Sequence, residues 1–176
     1  MTARTCAGCD LCCTTLAVDA LAKPCGARCP HLAGDPGHSC GIYAERPDEC
    51  ARYACVWLEG LLPERLKPSR CGFVVNPPKA GSKAPIRLLS LLPDAARPRS
   101  WVKELPALST VSRRLNMPII IDDPSGVPVA VLAPSGRLFL REEHPELFRA
   151  DNINVGVPIT EFVRNPLTDP LHRVRR

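Results

Sequence analysis

Ten cysteines lie between Cys6 and Cys71, and the 105 residues that follow contain none. Four of the ten fall within CAGCDLCC, residues 6–13. Thiols crowded in this way have three chemical outlets: disulfides, nucleophilic attack, or metal ligation. Compartment decides between the first and the last. A secretory leader needs a basic start and an apolar run of roughly 7–15 residues, and MTARTCAGCD has no such run. No stretch reaches the roughly 20 apolar residues of a membrane span. The expectation is a cytoplasmic chain without a membrane partner. Thiols stay reduced there, and clustered cysteines bind metal more often than they pair. A catalytic cysteine usually stands alone beside a histidine base, so the crowding argues against a thiol enzyme.

The spacing carries geometry. Cys6, Cys9, Cys12 and Cys13 form a C-x2-C-x2-C-C run, followed by Cys25, Cys29, Cys40, Cys50, Cys55 and Cys71. A C-x2-C knuckle lets one turn of backbone present two sulfurs to one ion. Adjacent Cys12 and Cys13 should diverge, by about 100° on a helix and about 180° on a strand. They suit two ions, or one ion and the core. Cys50 and Cys55 lie five positions apart, about 140° around a helix. Either Cys50 precedes the regular helix or the two face different sites. Both pairs favour two ions, or one polynuclear cluster, over one simple site. The turn-rich stretches KPCGARCP and GDPGHSCG supply loops able to wrap an ion.

Thiolates are soft ligands that select zinc, copper(I) or iron–sulfur clusters. Cys6, Cys9 and Cys12 with a distant Cys29-Pro30 echo the ferredoxin pattern C-x2-C-x2-C…C-P. His31 and His38 stand within two residues of Cys29 and Cys40 and are candidate nitrogen ligands. A solvated loop histidine is the commoner outcome for each.

The C-x2-C-x2-C-C run, then CPHL at residues 29–32 and CGIYAERPDECARYAC at 40–55, resembles the YkgJ-type cysteine-cluster family. That family is described as a zinc- or iron-chelating domain and is also named for its CxxCxxCC run. The likeness covers about residues 6–60, and C-x-I-Y-x-x-R-P-x-x-C is its most specific part. The resemblance implies metal ligation by Cys6, Cys9, Cys12, Cys13, Cys29, Cys40, Cys50 and Cys55. It implies no reaction. The family carries Arg directly after the equivalent of Cys50, whereas this chain has Ala51, with Arg52 one position later. Cys25 and Cys71 lie outside the pattern and read as buried thiols or spare ligands.

The formal net charge of +5 is uneven. Residues 1–72 carry eight Lys/Arg and eight Asp/Glu, against fifteen and ten in residues 73–176. Two four-thiolate zinc sites would remove four charges and leave the chain near +1. Lys and Arg are dispersed apart from Arg113-Arg114 and the tail from Arg173 to Arg176, which argues against a nucleic-acid partner. Within the cysteine-rich segment, Tyr43 is expected to pack on the cluster, Arg46 to neutralise thiolate charge, and Trp57 and Leu58 to cap a small core. In the remainder, Asp122-Asp123 reads as the end of a strand, and REEHPE at 141–146 as a polar loop or a helix start at Pro145.

Helices are expected over 10–22, 46–62 and 100–116, the last kinked or shortened by Pro106. On the middle one, Cys50, Ala54, Trp57 and Leu61 would share a face. FVVN (73–76), IRLLSLL (86–92) and IIID (119–122) read as strands, and 127–141 as a hairpin turning at Pro134-Ser135-Gly136. The expected architecture is α+β: a loop-rich, metal-stabilised cysteine module over 1–72, packed on a small, mostly antiparallel sheet. A small α+β region would span 73–170, and a basic tail 171–176. Function is expected to be chelation of zinc or iron, by two ions and without an assigned reaction. The alternative is an iron–sulfur ([4Fe-4S]-type) redox or enzyme-accessory protein.

Overall fold

The apolar runs of the second half of the chain become the strands of one sheet. The structure, a computed structural model, describes residues 4–33, 40–78 and 87–148. The expectations for His38 and for the basic tail fall outside them. Five strands line up in chain order: β1 (Phe73–Asn76), β2 (Leu89–Pro93), β3 (Ile119–Asp122), β4 (Pro128–Leu132) and β5 (Leu138–Leu140). β2 and β3 run parallel, and the other three pairs are antiparallel. A parallel pair needs a crossover, and residues 94–118 provide it through the helix Leu105–Leu115. The fold is therefore α+β around a small mixed sheet.

Alternation along the strands sorts the side chains into two layers. Phe73, Val75, Leu89, Leu91, Ile119, Ile121, Ala130 and Leu132 face Trp101 and the crossover residues Leu108 and Val111. Ile120, Val131 and Phe139 face the other way, against Leu147 and Phe148. Val56, Trp57, Leu62, Leu66 and Cys71 belong to the first of these clusters, so the end of the cysteine-rich segment shares the core of the sheet.

The helices are shorter than the periodicity suggests. The first, α1, covers only Leu11–Thr15. Thr14 and Thr15 turn their hydroxyls back to the Leu11 carbonyl at 3.0 and 2.8 Å, a bond that competes with helix continuation. The chain then extends at Leu16, pairs Val18 with Lys23, and makes a single 3₁₀ turn over Asp19–Leu21. The expected helix over 46–62 shrinks to α2, Asp48–Arg52. Tyr53 leaves the helix in an extended conformation, and its hydroxyl donates to Asn76 Oδ1 at 2.6 Å. The Val56 amide then donates to the Val75 carbonyl at 2.9 Å. Pairing with β1 outweighs the helical periodicity, and the face expected from Cys50, Ala54, Trp57 and Leu61 does not form.

A short α3 (Pro68–Cys71) leads into β1, and the crossover helix is α4 (Leu105–Leu115). Pro106 sits in the first turn of α4, where its missing N–H costs nothing, so it starts the helix instead of kinking it. Asn116 closes α4 in the left-handed conformation, φ +50°.

Candidate metal centre

Two side chains, Arg4 and Lys67, tether the run of Cys6 to Cys13. Arg4 donates to the carbonyls of Trp57 and Leu62 at 2.6 and 2.8 Å. Its guanidinium also lies over the Trp57 ring, 4.9 Å from the centroid. Lys67 donates to the Ala7 carbonyl at 2.7 Å, inside the first C-x2-C knuckle. That knuckle is closed by its own turn, with the Cys9 amide on the Cys6 carbonyl at 2.9 Å. A second segment returns to α1: the Cys29 amide donates to the Cys13 carbonyl at 2.8 Å, and the Gly26 amide to Thr15 at 2.8 Å. A third arrives through the isolated bridge between Leu32 and Cys40.

Tyr53 is half-buried, and burial followed by the nearby Cys55, Cys12, Cys6 and Cys9 raises its pKa. Burial raises the pKa of Cys50, with added contributions from Glu49 and then from Cys13, Cys29 and Cys40. Cys50 lies in α2, and Cys55 follows its end. The adjacent thiols of Cys12 and Cys13 act on each other's ionisation, which holds the Cys13 pKa down to about 7 and raises that of Cys12.

Amide and ammonium groups surround the thiols. The backbone N–H groups of Leu58 and Trp57 point at Cys55 and favour its thiolate, although burial dominates and raises its pKa. Burial and Cys9 raise the pKa of Cys6, against the pull of Arg46 and Lys67. Arg46 therefore lies near the thiols as expected, but its guanidinium stacks on Tyr43, 3.8 Å from the ring centroid. Tyr43 itself is 58% exposed and does not pack on the cluster. Tyr53 is the aromatic residue beside the thiols. Trp57 lies in the core of the sheet, with Leu58 packed against it.

All ten cysteines are free thiols. Cys71 is buried in the main core and donates to the Phe73 and Leu66 carbonyls at 3.3 and 3.4 Å. Cys25 donates to the Thr15 carbonyl at 3.3 Å and faces the turn after β3, where Gly126 closely approaches its sulfur. Both have their own hydrogen-bond partners. His31 contributes its carbonyl, at 2.7 Å from the Gly41 amide. Asp123 closes the turn after β3 by accepting from Ser125 and Val127 at 2.9 and 3.0 Å, which gives the acidic pair its strand-ending role. The REEHPE segment leads into a 3₁₀ turn starting at Pro145.

Among the described residues, no three His, Cys, Asp or Glu side chains are grouped tightly enough to hold an ion as placed. The donor chemistry nonetheless fits a soft metal: clustered thiols, amides directed at sulfur, and nearby cations. Among the described residues, no helix is long and apolar enough to cross a membrane. Comparison with protein-family models, curated proteins and solved structures gives no match.

Proposed function

We propose that the N-terminal module chelates zinc or iron through Cys6, Cys9, Cys12, Cys13, Cys29, Cys40, Cys50 and Cys55. Two ions are bound, one by Cys6, Cys9, Cys12 and Cys55 and the other by Cys13, Cys29, Cys40 and Cys50. What supports this reading is the C-x2-C-x2-C-C spacing together with the backbone bond that ties Cys29 to Cys13 at 2.8 Å. Each set has the four sulfurs that a closed structural zinc site uses. Closing either set requires its side chains to rotate inward together, and the bound ion supplies the energy for that step. A structural zinc contributes on the order of 10–16 kcal/mol in small modules at neutral pH. Much of residues 4–33 is loop, so such a contribution would dominate its stability.

A second reading is an iron–sulfur cluster of a redox or enzyme-accessory protein, supported by the ferredoxin-like spacing of Cys6, Cys9, Cys12 and Cys29-Pro30. Either reading needs reduced thiols and puts the chain in the cytoplasm. The proposal includes no nucleic-acid partner, because Lys and Arg are dispersed along the chain and Arg114 donates to the Leu61 carbonyl.

Anaerobic purification followed by elemental analysis and a visible spectrum tests the proposal. A colourless protein with two zinc ions per chain supports the zinc form. A brown protein containing iron and sulfide supports the cluster. A chain that retains neither metal after loading in reducing buffer would overturn both.

A further inference from the structure

We propose that the groove between residues 60–63 and α4 docks a short acidic peptide of a partner protein, one that also carries apolar side chains. This inference is independent of metal binding and can fail while that reading stands.

The groove has a volume of about 580 Å³, within the roughly 300–1,000 Å³ of ligand-binding clefts. Much of its lining is apolar. Leu61, Pro63, Pro106 and Ala107 are at least partly exposed there, beside the buried Leu62 and Val111. Arg4, Arg65 and Arg114 line it as well.

Each of these arginines is held in place. Arg114 donates to the Leu61 carbonyl. Arg4 donates to the Leu62 carbonyl at 2.8 Å and pairs with Glu64 at 3.5 Å. Arg65 pairs with Glu104 at 3.2 Å. Side chains fixed in this way lose little freedom when a ligand docks. Charge is left over, because three arginines meet two glutamates. Among the described residues, Arg114 pairs with no carboxylate. Donors are left over too. A guanidinium has five N–H donors, and Arg65 and Arg114 each engage one acceptor among the described residues. Both are exposed. A carboxylate matches such a fork with two parallel bonds.

The lining also selects the class of anion. A small polar anion would use the arginines and leave the apolar lining wet. Single-stranded nucleic acid stacks its bases on aromatic rings, and among the described residues no aromatic side chain lines the groove. A peptide with Asp or Glu beside Leu or Val uses both parts of the lining.

The test uses the full chain in reducing buffer and fluorescence anisotropy of labelled peptides. A peptide of alternating Leu and Asp should bind, and added salt should weaken it. Peptides of alternating Leu and Ser, or Asp and Ser, should bind about tenfold more weakly, since each lacks one half of the match. Arg114→Ala should weaken the Leu-Asp peptide about fivefold, the upper range for an exposed ion pair. Thr110→Trp fills the groove from the exposed side of α4 and should weaken it about tenfold. Circular dichroism shows whether each variant folds, and if neither does, the peptide series and the salt dependence decide. Equal binding of the three peptides, tighter binding of oligothymidylate, or folded variants that both bind as the wild type would overturn the inference.

Discussion

Cys12 and Cys13 are neighbours in α1, and the Cys13 carbonyl accepts from the Cys29 amide at 2.8 Å; in the proposed two-ion arrangement the pair contributes one ligand to each set, so the sets meet here. A substitution at this junction should disturb both groups, whereas one at the periphery should disturb its own. Cys12→Ser and Cys13→Ser are expected to lower total metal content by more than half. Cys50→Ser and Cys55→Ser should each release about one ion of two, because their neighbours differ. Metal content per chain, measured on all four variants, checks this. Equal losses in the four variants would point to a single cluster sharing every ligand.

Tyr53 joins the thiol groups to the sheet through its hydroxyl on Asn76, which in turn donates to Ser90 Oγ at 3.0 Å. Tyr53→Phe keeps the ring and removes one hydrogen bond from a largely buried pair. The expected cost is about 1–2 kcal/mol in urea denaturation. Faster exchange of the Val56 amide, which is bonded to β1 three residues further on, should accompany it. Metal stoichiometry should stay at the wild-type value, since Tyr53 contributes no ligand.

Gly26 has φ +75°, and a Cβ placed there would lie 2.4 Å from the Pro124 carbonyl oxygen. The cysteine loop thus docks by backbone on the turn after β3. Gly26→Ala should cost at least the roughly 1–2 kcal/mol of a left-handed non-glycine residue, and more from the clash. Alkylation of Cys25, which lies against Gly126 in the same contact, should become faster. An unchanged alkylation rate would mean that the loop does not depend on this contact.

The sheet was legible in the sequence where apolar residues run without interruption. FVVN and IIID become β1 and β3 with the expected bounds, and Pro134-Ser135-Gly136 turns the hairpin between β4 and β5. The helices of the cysteine module were not, because their ends are set by distant partners. Nothing near Tyr53 announces Asn76, and no local pattern signals that Val56 will pair with Val75. The candidate ligands stood out by spacing, whereas Tyr53 did not. An isolated tyrosine looks the same in sequence whether it faces solvent or a buried partner.

Asp122 ends β3 with its carboxyl buried, 8% exposed, and burial together with the neighbouring Asp123 raises its pKa to about 7. An unfolded aspartate ionises near 3.9. Between these values the folded state holds a proton that the unfolded state has lost, so stability falls as pH rises. Below about pH 4 both states are protonated, and above about pH 7 both are ionised, so this contribution is flat outside the window. Asp122→Asn removes the titration and keeps the shape. At pH 4 the variant should match the wild type. At pH 7.5 it should be more stable by about 2–4 kcal/mol, from roughly 1.4 kcal/mol per pKa unit. Burial and Asp122 push the Cys25 thiol up, so it stays protonated over this pH range, and the difference between the two urea denaturation curves isolates Asp122. A difference that stays constant from pH 4 to 7.5 would mean that Asp122 is ionised in the folded chain throughout.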